Sequence, residues 1–274
     1  MVMEISFSTM FFHDHPLDLI FDAVRRSGAD TLEFWPETPD WWLEGRSEDR
    51  LAQVIRQHPL PAPLSVHAPV LDLNPCSINP DVVKASIIWI QFSIRLAETL
   101  RANVCTIHPG RRTSKRPPSD LDYQRLDHML DEIAPYAESS RVSVSIENME
   151  PQVNALLTTP AEIARVLDER EWLSFTLDSC HVASRGEEVL HEFLSVAEGR
   201  IANVHLSGAS GSVMHQPVKG NPWAEKSLEV LGNAGYDGLV TLEINDLSVG
   251  DPLTAEEKIR MIADDVRVVR QHLS

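Results

Sequence analysis

Six residues able to hold a cation close or follow short apolar runs in this chain. His67 ends "LSVH", His108 follows "VCTI", and Glu147 ends "VSVSIE". Asp178 ends "LSFTLD", His205 sits in "IANVHL", and Glu243 follows "LVTL". Taken singly, each has a plain structural explanation. A histidine at a strand end is usually a hydrogen-bonded structural residue, and a carboxylate there often caps the next helix. Taken together, they ask for more. Buried imidazoles and carboxylates are costly unless paired or coordinated. A set of nitrogen and carboxylate oxygen donors suits zinc, manganese or a similar divalent ion, one or two per chain.

The elements that must position these residues repeat along the chain. Short strands rich in Val, Ile, Thr and Phe start near Glu4, Asp30, Leu64, Asn103, Val142, Leu173, Ile201 and Leu239. Helical patterns separate them. "NPDVVKASIIWIQFSIRLAETLRAN" has Asn79 as N-cap and Pro80 in the first turn. "PLDLIFDAVRRSG" closes on Gly28 after two arginines. Eight such units, at a spacing of roughly 30 residues, imply parallel strands with helical crossovers. The expected fold is a single (β/α)8 TIM barrel over residues 1–274, with its site at the carboxyl ends of the strands. An open doubly wound sheet is the alternative. No GxGxxG follows the first strand, and "GASGSV" from Gly208 is not that motif, so a dinucleotide fold has no support.

Composition narrows the partners. With 43% hydrophobic residues the chain can bury a large core, yet no apolar run reaches the roughly 20 residues of a membrane span. The N-terminus has early acids and no basic segment, which is unlike a signal peptide. Cys76, Cys105 and Cys180 form neither a CxxC nor a disulfide framework, so reduced thiols in a cytoplasmic protein are expected. A net charge of -17 repels phosphate backbones, so nucleic acid is not the expected partner. A homo-oligomer is left open.

The ordered pieces "VHAP", "IHPG", "IENM", "LDSCH", "VHLSG" and "LEIND" span nearly the whole chain. In this order it resembles the xylose isomerase-like TIM barrel superfamily, which includes sugar phosphate isomerases and epimerases and the type IV apurinic endonucleases. The epimerase branch implies one ion on Glu147, Asp178, His205 and Glu243. The endonuclease branch implies a second ion on His67 and His108, sharing Glu147. A third ion of that branch would use His181 and His215 with an Asp where this chain has Val213. "VHLSG" also lacks the Asn-acid-Ser-Lys run of the endonucleases. A third site is therefore not expected, and His181 and His215 are assigned to substrate contact, with a structural role for His181 left open. The resemblance implies isomerisation or epimerisation of a sugar or sugar phosphate, through a metal-stabilised enediolate, with Glu147 and Glu243 moving the proton. Two-metal phosphodiester hydrolysis is the alternative.

Other rim residues complete the expected site. Glu33 and Trp35 in "EFWPE" are expected to line a sugar pocket. Arg111 and Arg112 in "HPGRRTSKR" form an expected anion site for a phosphate or carboxylate. Lys219 in "HQPVKGNPW" is a weaker substrate-contact candidate. The Trp41–Trp42 pair is expected to be a packed anchor, and His13 and His15 show no usable spacing.

Overall fold

A computed structural model describes residues 3–273. Eight parallel strands form one sheet: β1 (Glu4–Phe7), β2 (Glu33–Phe34), β3 (Ser65–His67), β4 (Val104–Ile107), β5 (Ser143–Glu147), β6 (Ser174–Asp178), β7 (Ile201–Leu206) and β10 (Leu239–Leu242). A hairpin of β8 (Gly208–Ser210) and β9 (Val213–Gln216) stands apart from it. The sheet order is β1-β10-β7-β6-β5-β4-β3-β2, and its two edges meet at a Ser8–Glu33 bridge. The result is a nearly closed barrel. Helices ring it: α1 (Leu17–Ser27), α2 (Pro39–Leu43), α3 (Glu48–Gln57), α4 (Pro80–Thr99), α5 (Asp120–Ser139), α6 (Pro160–Asp168), α7 (Glu187–Val196), α8 (Pro222–Asn233) and α9 (Ala255–Leu273). Asn79 caps α4 as expected, its Oδ1 accepting the Asp81 amide at 3.0 Å. No described helix is long and apolar enough to cross a membrane.

The strands alternate, because successive side chains in a strand point to opposite faces. Ile5, Phe7, Val144, Ile146, Phe175, Leu177, Val204, Val240 and Leu242 are buried in the apolar core. Each such fully buried side chain contributes roughly 1.5–3 kcal/mol. The alternate residues lie inside the barrel, and in the layer beneath the site they are polar. Thr106 on β4 meets Thr176 on β6 at 3.2 Å, and Ser145 on β5 meets Thr176 at 2.7 Å. On the other side Ser6 meets Thr241 at 2.6 Å, and Thr241 donates to Asn203 at 2.9 Å. The strands are therefore two-faced rather than uniformly apolar. A hydrogen-bonded floor of small hydroxyls and one amide underlies the strand ends.

The unforeseen hairpin has a simple cause. Gly211 takes a left-handed φ of +59° at its tip, which lets the chain reverse directly after β7. It carries His215 back over the barrel mouth.

Candidate metal centre and substrate cavity

Each expected ligand sits where its strand stops. His67, Glu147 and Asp178 are the last residues of β3, β5 and β6. His205 lies near the end of β7, and His108 and Glu243 directly follow β4 and β10. Glu147, Asp178, His205 and Glu243 each bring a donor atom within 4.8 Å of the others. His67, His108 and Glu147 form a second such group.

The chemistry of these donors fits a cation. Oε1 of Glu147, Oδ2 of Asp178, Nδ1 of His205 and Oε2 of Glu243 are buried without a hydrogen-bond partner among the described residues. Unsatisfied buried polar atoms are rare, and each calls for an explanation. His205 Nδ1 lies 3.0 Å from Glu243 Oε2 and 3.6 Å from Glu147 Oε2 without making a hydrogen bond to either. His67 donates through Nδ1 to its neighbour's carbonyl at 2.8 Å, and its Nε2 meets Glu147 Oε2 at 3.4 Å. His108 Nε2 reaches the same oxygen at 3.0 Å.

Charge is balanced within the cluster. Burial alone would raise Glu147, but His108 and His205 hold its carboxyl well below the usual range. Glu243 is likewise lowered against its burial, chiefly by His205. His205 is raised well above an ordinary imidazole, burial being outweighed by Glu33, Glu243 and Glu147. Asp178 differs: burial pushes it up to about 6, because Glu243 and Glu147 oppose the pull of His181 and His215.

A third group of donors, Asp178, His181 and His215, lies within the same 4.8 Å criterion. Val213 lies on the hairpin and supplies no donor; the one carboxylate of this group is Asp178, which also belongs to the first group. His181 donates through Nδ1 to the Asn148 carbonyl at 2.8 Å, and its ring meets that of His215 edge-on. His215 has φ +54°, an uncommon conformation for a residue with a side chain. Its amide donates to Cys180 Sγ at 3.2 Å, and its carbonyl accepts from the Asn245 amide at 2.9 Å. Cys180 thus packs behind the site as a thiol, burial pushing it up to about 12.

Above the cluster opens a cavity of about 570 Å³, walled by Trp35, His108, Glu147, His181, His215 and Glu243. Trp35 stacks on His67, ring centroids 3.7 Å apart, and its buried Nε1 has no partner. A side cavity of about 330 Å³ adjoins it through His108, Met149 and Glu150 and is walled by Arg111, Asp72 and Asn74.

Three of the expected substrate-contact residues are absent from the walls of both cavities. Glu33 does not line the sugar pocket; it is fully buried in the barrel floor, where Oε1 meets His205 Nε2 at 3.2 Å. Arg112 turns into its own loop, donating to the Pro117 carbonyl at 2.6 Å and to Ser114 at 3.2 Å. Lys219 pairs with Asp264 on α9 at 2.8 Å, away from both cavities. Arg111 does face the side cavity. His13 and Asp14 line the main cavity, although no spacing in the sequence pointed to them. Asn148 was also missed. It clamps Asp178, accepting its amide at 2.8 Å and donating to its carbonyl at 3.0 Å. Its position directly after Glu147 was the only available signal.

Comparison with known proteins agrees with this architecture. The xylose isomerase-like TIM barrel family matches residues 21–265. An uncharacterized protein of Methanocaldococcus jannaschii is 34% identical over 97% of both chains. A probable endonuclease 4 of Persephonella marina is 26% identical over 64% of this chain and 62% of its own length. Among solved structures, D-psicose 3-epimerase of Clostridium cellulolyticum H10, solved with D-tagatose, superposes with a TM-score of 0.79 at 18% identity, over 99% of this chain and 100% of that one. A D-tagatose 3-epimerase-like protein gives 0.73 at 20% identity, over 99% and 100% of the two chains. At such identities these structures speak to the fold. With the family match over most of its length, the chain belongs to the xylose isomerase-like TIM barrel family.

Proposed function

We propose that the chain is a divalent-metal-dependent isomerase or epimerase of a sugar or sugar phosphate, with Glu147 and Glu243 as its proton-transfer pair. One observation carries this reading. Of the four donors grouped at the barrel mouth, Glu147 and Glu243 also wall the open cavity, whereas Asp178 and His205 do not. Two carboxylates facing one substrate can each reach a proton on its carbon skeleton.

Zinc or manganese held by Glu147, Asp178, His205 and Glu243 would supply Lewis-acid polarisation of a substrate carbonyl when bound. The protein's own groups account for the rest. Glu147 and Glu243 both wall the cavity, so either can accept a proton from the carbon beside the carbonyl and the other can return it. Trp35, stacked on His67, offers an aromatic edge of the cavity wall to the sugar. His108, His181 and His215 bring further polar atoms to the wall.

Incubation of the manganese-loaded protein with ketopentoses, ketohexoses and their phosphates in deuterium oxide tests this reading. Proton NMR should show one deuterium entering beside the carbonyl as the epimer or isomer accumulates. Absence of exchange across the whole panel removes it.

The His67, His108 and Glu147 group favours a second reading, phosphodiester hydrolysis by two ions sharing Glu147. Cleavage of an abasic duplex by the zinc-loaded protein, with no deuterium exchange into any sugar, would establish that reading instead.

A further inference from the structure

We propose that Glu33 is a positioning residue: it holds His205 in the tautomer that leaves Nδ1 bare toward the metal group, and so tunes metal affinity from the barrel floor. The inference rests on Glu147, Asp178, His205 and Glu243 being a metal site. It does not depend on which reaction follows.

The assignment comes from proton bookkeeping. Glu33 Oε1 receives three contacts: Asn203 Nδ2 at 3.2 Å, Thr106 Oγ1 at 3.3 Å and His205 Nε2 at 3.2 Å. Asn203 is itself oriented, since its Oδ1 accepts the Thr241 hydroxyl at 2.9 Å, and Thr241 is in turn bonded to Ser6. Its amide nitrogen must then face Glu33 and donate. An oxygen that accepts from an amide and a hydroxyl acts as an acceptor, so His205 Nε2 must donate to it as well. A neutral imidazole that donates through Nε2 has a lone pair on Nδ1. That nitrogen is the one aimed at Glu243 and Glu147, and it has no hydrogen-bond partner. A carboxylate on the far side of a ligating imidazole fixes its orientation and raises its basicity. Burial makes the arrangement rigid, because Glu33, Asn203 and His205 are all fully enclosed.

The test uses full-length protein stripped of metal and titrated with zinc against a chromophoric chelator. Glu33→Gln removes the charge on the acceptor and should weaken zinc binding by roughly 10- to 100-fold. The visible spectrum of the cobalt(II) form should shift as well. Glu33→Asp, which keeps the carboxylate, should recover part of the affinity. Wild-type affinity together with an unchanged cobalt spectrum in Glu33→Gln overturns the proposal. If Glu33→Gln fails to fold, nitrogen-15 NMR of the zinc-loaded wild-type protein decides. The His205 ring proton must sit on Nε2; a proton on Nδ1 overturns the assignment. Wild-type protein that takes up no zinc defeats the metal reading and this inference together. Zinc uptake with the expected Glu33 dependence but no sugar turnover defeats the proposed reaction alone.

Discussion

Glu147 at the barrel mouth and Asp265 on α9 are both buried carboxylates, and the protein treats them in opposite ways. Asp265 accepts the amides of Val218 and Lys219 at 2.9 and 2.8 Å, yet burial still pushes it up to about 6. Among the described residues no backbone amide donates to Glu147, but His67, His108 and His205 lie within 3.6 Å, and it is lowered. Two backbone donors do not compensate the desolvation of a carboxylate here. A ring of imidazoles does. Mutually close histidines and acids are therefore the mark of a site that keeps charge inside the protein, whereas Asp265 is a loop anchor.

The largest effect should come from breaking the compensated side. Glu147→Gln removes a proton-transfer carboxylate and a shared metal donor at once. Under the proposed reaction, turnover should fall by about 1,000-fold, within the usual range for loss of a general acid or base. Deuterium exchange into the substrate should vanish with it. Exchange at the wild-type rate would show that Glu147 is a charge partner and not the base. Thermal melts of the same variant would show whether the fold tolerates the change.

The other side of the comparison has a pH signature. Asp265 binds its proton more tightly in the folded chain than an ordinary carboxyl does. As pH rises from about 4 to about 6 the unfolded chain releases this proton first, so the contribution of Asp265 to stability falls over that window and is level above it. Holding the proton up to about pH 6 corresponds to about 3 kcal/mol. Asp265→Asn gives up part of the amide anchoring, at a cost of about 1 kcal/mol, but escapes this pH-dependent loss. The variant's melting temperature should therefore gain on wild type by several degrees between pH 4 and pH 6.5. Parallel profiles would mean that Asp265 is not held as described.

What the sequence revealed followed from periodicity and strand-end chemistry. Eight β-rich runs separated by capped helices imply a barrel, and the barrel implies that His67, His108, Glu147, Asp178, His205 and Glu243 converge. All six do reach the mouth. Glu33 too lies at a strand end, and the sequence does not say that it points into the floor, against His205. The floor beneath it was hidden for a related reason. Ser6, Thr106, Ser145, Thr176 and Thr241 are ordinary strand residues until the barrel closes and brings them face to face. The third donor group is only half legible: the family pattern pairs His181 with His215, but their grouping with Asp178 appears only when the turn at Gly211 brings His215 over it.

Arg111 supplies the last contrast, a charge that neither imidazoles nor backbone amides compensate. Its backbone is fixed: Asn74 Oδ1 accepts its amide at 3.0 Å, and Asn74 Nδ2 donates to its carbonyl at 2.8 Å. The preceding Gly110 has φ +80°, and a Cβ there would lie 2.7 Å from Asn74 Oδ1, so this close approach needs glycine. The guanidinium itself is exposed at the side cavity, and among the described residues no hydrogen bond or ion pair engages it. Its neighbour Arg112 is the built-in control, already bound to its own loop. For a phosphorylated ketose that reaches the side cavity, Arg111→Ala should raise KM by about tenfold, the loss of one charge-assisted contact, and leave kcat unchanged. Arg112→Ala should leave KM within about twofold and act on stability instead, by less than about 1 kcal/mol. The unphosphorylated ketose should be indifferent to both. Equal responses to the two sugars would mean that the side cavity does not receive the phosphate, and Arg111 would then be a solvated charge on a rigid loop.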